Sequence, residues 1–181
     1  MQDCKLMNIY ELEDYNEDYM DSNSMGLLFC FGTSFISKLI MAKTRLYNNE
    51  IIPSHVALIT KDLIYESTTS VEEVDNKTIR QGVRRWQMKD FIKVEKDKLT
   101  KYVYVPHRFS IQKADSLVHL PYGKDTILDF LLKDGSDGDS KGLICSQFAN
   151  ICILNHHYKA CPTPADLFRA EIQRHQLSVY E

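Results

Sequence analysis

Hydrophobic and polar positions alternate between two periods along this chain, and the switches between them mark its elements. A nearly unbroken apolar run at 25–31 predicts a strand buried on both sides. Ser34 is placed to cap a helix over 35–46, with Phe35, Leu39 and Ala42 on one stripe. Asn48, Asn49 and Pro53 mark a loop. Strands at 54–60 and 63–67, separated only by Lys61-Asp62, read as a hairpin. The polar stretch 68–80 reads as a loop with a strand edge. At 82–88, Val83, Arg85 and Gln87 alternate with Arg84, Trp86 and Met88, predicting a half-exposed strand with Arg84 and Arg85 on a solvated face, a carboxylate-binding role being the alternative.

The charge-rich segment 89–99 suggests a short helix or loop, and 102–105 a strand that Pro106 stops. Helical spacing returns at 109–120 through Ile111, Ala114, Leu117 and Val118, followed by a turn at Pro121-Tyr122-Gly123. A short helix is expected at 126–132 and a polar loop at 133–141. Ile144, Phe148, Ile151 and Leu154 then trace an amphipathic helix. Thr163 and Pro164 fit the N-cap and first position of a last helix reaching about residue 173. An edge strand is expected at 177–180. The outcome is an α+β chain with an antiparallel sheet.

Bulk properties narrow the field. The chain has 181 residues, enough for one domain with a real core. A formal net charge of -3 gives no basic field for nucleic acid. The apolar runs fall far short of the roughly 18 residues a membrane span requires. No basic segment followed by an apolar core opens the sequence, so a cytoplasmic location is expected, with release by lysis or injection leaving the same signature. Five cysteines without CxxC spacing argue for reduced thiols rather than a disulfide framework. Residues 1–24 are acidic, with Tyr10, Tyr15 and Tyr19 spaced along them, and read as a solvated arm or a short surface helix ahead of a single domain at 25–181.

The chemistry centres on Cys145, at the start of a helix, where free N–H groups and the macrodipole favour negative charge on a thiol. A thiolate needs a base and a group that orients the base. With a two-residue turn at Lys61-Asp62, Thr60 pairs with Leu63 and Ala57 with Glu66. His55 and Glu66 then stand on one face of neighbouring strands at diagonal distance. Glu66 would fix the imidazole tautomer, and the Cys145 backbone N–H is the natural oxyanion donor. The competing reading is a packing cysteine, a structural histidine and a solvated glutamate. Tyr122, Ser146 and Gln147 are candidates for the substrate-facing loops. Cys152, His156, His157 and Cys161 match no common zinc spacing. Asp137–Gly142 fails as a calcium loop, having Lys141 and Phe148 where ligands belong. Thus no metal or cofactor is expected. His107, His119 and His175 read as surface or packing residues.

The order Ser54-His55-Val56, Tyr65-Glu66-Ser67, Cys145-Ser146-Gln147, with Pro121-Tyr122-Gly123 before the cysteine and Cys161-Pro162-Thr163-Pro164-Ala165-Asp166-Leu167 after it, resembles the circularly permuted NlpC/P60 papain-like enzymes of the YiiX type. The resemblance spans roughly 25–171. It implies a permuted papain-like fold with Cys145 as nucleophile, His55 as general base and Glu66 as the residue orienting the imidazole. It further implies a cysteine hydrolase acting on an amide or peptide bond, with peptide, muropeptide or acyl-amide substrates. Lipid acyl hydrolysis or acyl transfer by the same three residues, and an inactive binding or effector module, are the alternatives. The acidic segment and the 133–141 loop have no counterpart in that family. Oligomeric state stays open.

Overall fold

The computed structural model describes residues 4–32, 52–75, 77–123, 142–154, 162–175 and 179–180. The helices expected at 35–46 and 126–132, and the loop at 133–141, lie outside the described residues. So do His156, His157 and Cys161.

The sheet is built first by β2 (Met25–Phe31), β3 (His55–Thr60) and β4 (Leu63–Thr68), then by β7 (Gly82–Gln87) and β8 (Lys101–Pro106). Its order is β7-β4-β3-β2-β8, with every neighbour antiparallel. The central run at β2 is apolar throughout because both of its faces are covered. Leu27, Phe29 and Phe31 point to one side with Val56, Leu58, Tyr65 and Val103. Leu28 and Cys30 point to the other with Ala57, Ile59, Ile64 and Tyr102.

Helices cover both faces. On the first lie α3 (Ile111–Leu117), α4 (Cys145–Cys152) and α5 (Pro164–His175), contributing Ala114, Phe148, Ala149, Leu167 and Phe168 to the core. On the second lie α1 (Ile9–Tyr19) and α2 (Met88–Glu95), contributing Ile9, Leu12, Phe91 and Ile92. Two small sheets flank this body: the hairpin β5 (Glu72–Val74) and β6 (Lys77–Ile79), and a parallel pair of β1 (Cys4–Lys5) with β9 (Val179–Tyr180). Among the described residues no helix is long and apolar enough to cross a membrane.

One open alternative is decided and two expectations need correction. The acidic segment is the helix rather than the solvated arm: Asn8 caps α1 by accepting from the Tyr10 and Glu11 N–H groups, Glu11 reaches back to the Asn8 N–H at 2.8 Å, and Leu12 is fully buried. Its acids occupy the solvated side of a helix whose apolar side packs on the sheet. The stretch 68–80 contains a hairpin rather than a loop with one strand edge. The cysteine helix is rotated from its expected phase. Ile151 and Leu154 are exposed, whereas Cys145, Phe148, Ala149 and Cys152 form the buried face. Small side chains at 145, 149 and 152 let this helix approach the sheet closely, and they carry weak hydrophobic weight in a pattern search.

Leu12→Ala is expected to destabilise the protein by about 2–4 kcal/mol, as a fully buried leucine does. Urea unfolding measures it. A loss under about 0.5 kcal/mol, the usual effect at a solvated surface position, would detach α1 from the core.

Candidate active site

The hairpin register is Leu58 opposite Tyr65 and Ile59 opposite Ile64. Extending it by one step puts Ala57 opposite Glu66, the alignment expected from the two-residue turn. His55 and Glu66 meet on the diagonal: His55 Nε2 lies 2.8 Å from Glu66 Oε2. Cys145 reaches the same cleft from the helix layer, close enough to the ring to favour its charged form. The three candidate residues therefore come together, from two strands and one helix start.

Several local contacts fix the start of α4. Leu143 N–H donates to Pro121 O at 3.1 Å, and Gly123 N–H donates to Leu143 O at 3.3 Å. Ser67 Oγ also donates to Leu143 O, tying β4 to the residue two before the cysteine. Gly142 lies so close to the Pro121–Tyr122 backbone that a Cβ there would stand 2.5 Å from Pro121 O, which only glycine avoids. Gln147 Oε1 accepts the Ile144 N–H at 3.1 Å, and Ser146 Oγ donates to Pro162 O at 2.6 Å. Ser146 and Gln147, expected to face substrate, are instead buried in this scaffold and are not in the cleft wall. Tyr122 does line the cleft. Burial and the neighbouring Cys145 push its hydroxyl pKa upward, so it remains a protonated donor.

Glu66 is held from its other side by Arg84, directly opposite it across the β4–β7 ladder. Arg84 Nε and Nη2 both donate to Glu66 Oε1, at 2.9 and 2.7 Å. Its Nη1 donates to Ser70 O at 3.1 Å, and its guanidinium lies 4.5 Å from the Trp86 ring centre. Arg84 was expected on a solvated strand face; it is buried, because the alternation places it on the same side as Trp86 and Met88, against the second core. That shared parity is the signal the sequence held. Arg85 is the solvated one, pairing with Asp115 at 2.8 Å.

The charges follow from these contacts. Burial works against an ionised Glu66, yet Arg84 and His55 overcome it and hold the carboxyl down at about 2. Burial likewise opposes an imidazolium at His55, but Cys145 and Glu66 raise it to about 10. With Glu66 ionised, Nε2–H of His55 donates to it, and Nδ1 is the nitrogen left for the sulfur. The ring is 23% exposed. All of this opens on a cleft of about 780 Å³ lined by the polar Thr68, Ser70 and Glu72 and by the apolar Phe91, Leu99 and Tyr102. Cys30 also lines it, but burial raises that thiol well above its ordinary range. Cys152, the described member of the rejected zinc set, is buried and pushed up to about 12.

Stability should depend on pH at both limits. A lowered carboxyl stabilises the fold above its ordinary 4.5, and that contribution is lost as pH falls toward about 2. A raised imidazole stabilises below 6.5, and that contribution is lost as pH rises toward about 10. Urea midpoints are expected to fall in both windows, and Glu66→Gln to flatten both limbs. Acid limbs of equal steepness in the two proteins would mean another group titrates there. Arg84→Met, which strands a buried carboxylate, is expected to cost about 3–5 kcal/mol in the same assay. In comparisons with known proteins, no family model, no curated protein and no solved structure matches the chain.

Proposed function

We propose that the protein is a cysteine hydrolase that cleaves an amide or peptide bond through Cys145, His55 and Glu66. The observation that carries this reading is the convergence of a helix-start thiol on an imidazole whose far nitrogen is 2.8 Å from a buried carboxylate. Structural histidines rarely combine a buried anionic orienter, a thiol neighbour and an open cleft.

In this mechanism Cys145 sulfur attacks the scissile carbonyl carbon, and the oxyanion is received by the Cys145 backbone N–H at the helix start. His55, charged and held by Glu66, donates its proton to the leaving nitrogen. The neutral ring then takes a proton from water, which attacks the thioester carbonyl and frees Cys145. Glu66 stays ionised throughout because Arg84 compensates it. This activity is the one implied by the resemblance of the Ser54-His55-Val56, Tyr65-Glu66-Ser67 and Cys145-Ser146-Gln147 order to permuted NlpC/P60 enzymes of the YiiX type.

Muropeptides, the substrates the resemblance implies, are the first to test, against acyl lipids, with Cys145→Ser as the blank.

Iodoacetamide is expected to label Cys145 faster than Cys30 or Cys152, and His55→Ala to abolish that selectivity. Peptide mapping by mass spectrometry measures both. Incubation with the true substrate should leave an acyl adduct on Cys145 whose mass identifies the acyl group. Equal labelling of all three thiols would remove the catalytic reading and leave a binding module.

A further inference from the structure

On the buried face of α5, one turn beyond Leu167 and Phe168, a second set of ligating side chains gathers around Glu171. This carboxylate is fully buried. His107, just beyond β8, places Nδ1 3.1 Å from Glu171 Oε2. His175, one turn along α5, places Nε2 3.4 Å from the same oxygen. One ligand atom from each residue lies within 4.8 Å of the others. Arg174 Nη1 stands 3.3 Å from the other oxygen, Oε1, and 3.2 Å from His107 Nδ1.

Glu171 and Arg174 crowd His107 Nδ1 in this cluster. If His107 Nδ1 carries a proton, it donates to Glu171 but faces a guanidinium N–H, donor against donor. If Nδ1 is bare, it accepts from Arg174 but turns a lone pair on the carboxylate oxygen 3.1 Å away. Either tautomer leaves one mismatched contact on a nitrogen whose side chain is 6% exposed. A cation between Nδ1 and Oε2 removes the conflict, since both lone pairs then point at it.

We propose that His107, Glu171 and His175 form a zinc-class divalent metal site. Two imidazoles and one carboxylate are an established zinc ligand set, with a fourth position left open. Bonds of about 2.0–2.1 Å in tetrahedral array place donors about 3.4 Å apart. The two measured donor pairs, at 3.1 and 3.4 Å, already have that spacing. The remaining edge closes by rotation of the His175 ring, which is 35% exposed near the helix end. His107 and His175 also line a separate cavity of about 500 Å³, with Tyr15, Met25, Tyr104 and Arg108. Arg174 keeps Glu171 Oε1 and gives up its contact with Nδ1. The ion thus fastens α5 to the end of β8, and it does so independently of any chemistry at Cys145.

The test is zinc titration of the metal-stripped full chain, carrying Cys145→Ser so that the cleft offers no thiolate. Calorimetry is expected to show one saturable site of micromolar or tighter affinity. Cobalt in its place should give the visible bands of a tetrahedral ion without a thiolate charge-transfer band. His175→Ala, near the surface and mild for folding, should weaken zinc binding by more than about tenfold, and His107→Gln likewise. Arg174→Met supplies the discriminating result: it removes the competitor for Nδ1, so affinity is expected to hold or rise. Absence of saturable zinc uptake overturns the proposal. So does uptake indifferent to His175→Ala, a cobalt–thiolate signature, or weaker binding in Arg174→Met.

Discussion

A buried carboxylate makes demands on everything near it, and Glu66 shows how far those demands extend. An ionised group taken out of water costs several kcal/mol unless opposite charge and hydrogen bonds surround it. Arg84 satisfies one oxygen and His55 the other. Both must come from strands flanking β4, on the face Glu66 occupies, so β7 and β3 are confined to their present registers. A slip of one residue in either ladder would turn Glu66 or its partner to the opposite face. The ion chain and the strand order specify each other.

The same chain separates two duties within one sheet. Its second face supplies the charged groups Arg84, Glu66 and His55, which alternate with the apolar Trp86, Ile64 and Ala57 along their strands. Its first face supplies the bed for the cysteine helix through Val56, Leu58 and Tyr65. The sulfur must therefore pass from one layer to the other at the end of β3, where His55 opens the strand. Anchoring of the helix entry by Pro121, Gly123 and Ser67 sets that passage, and small side chains on the helix underside bring it close.

What could be read in advance divides along the reach of the information. The His55–Glu66 meeting was legible because it needs only a turn length and the parity of two adjacent strands. The helix start at Cys145 was legible because a polar glycine-rich run gives way there to helical spacing. Arg84 was misjudged although its parity with Trp86 was visible, since nothing local says which face of an outer strand another hairpin covers. The phase of α4 was misjudged because Ile151 and Leu154 outweigh Cys145, Ala149 and Cys152 on any hydrophobicity scale, while packing here selects for small size. The cluster at His107, Glu171 and His175 adds to a pair one helical turn apart a third residue more than sixty positions away, and only that pair left a pattern in the chain.

The parallel pair of β1 and β9 carries a kinetic implication. It joins Cys4 to Val179, about 175 positions on. Closing a flexible loop of that length costs about 4–5 kcal/mol in chain entropy. Two residues per strand return at most a few hydrogen bonds, each worth about 1 kcal/mol net. This ribbon has no means of nucleating folding. It zips only after the central layers have carried both ends to the same place, and the amide protons it protects should be the last to slow and the first to exchange.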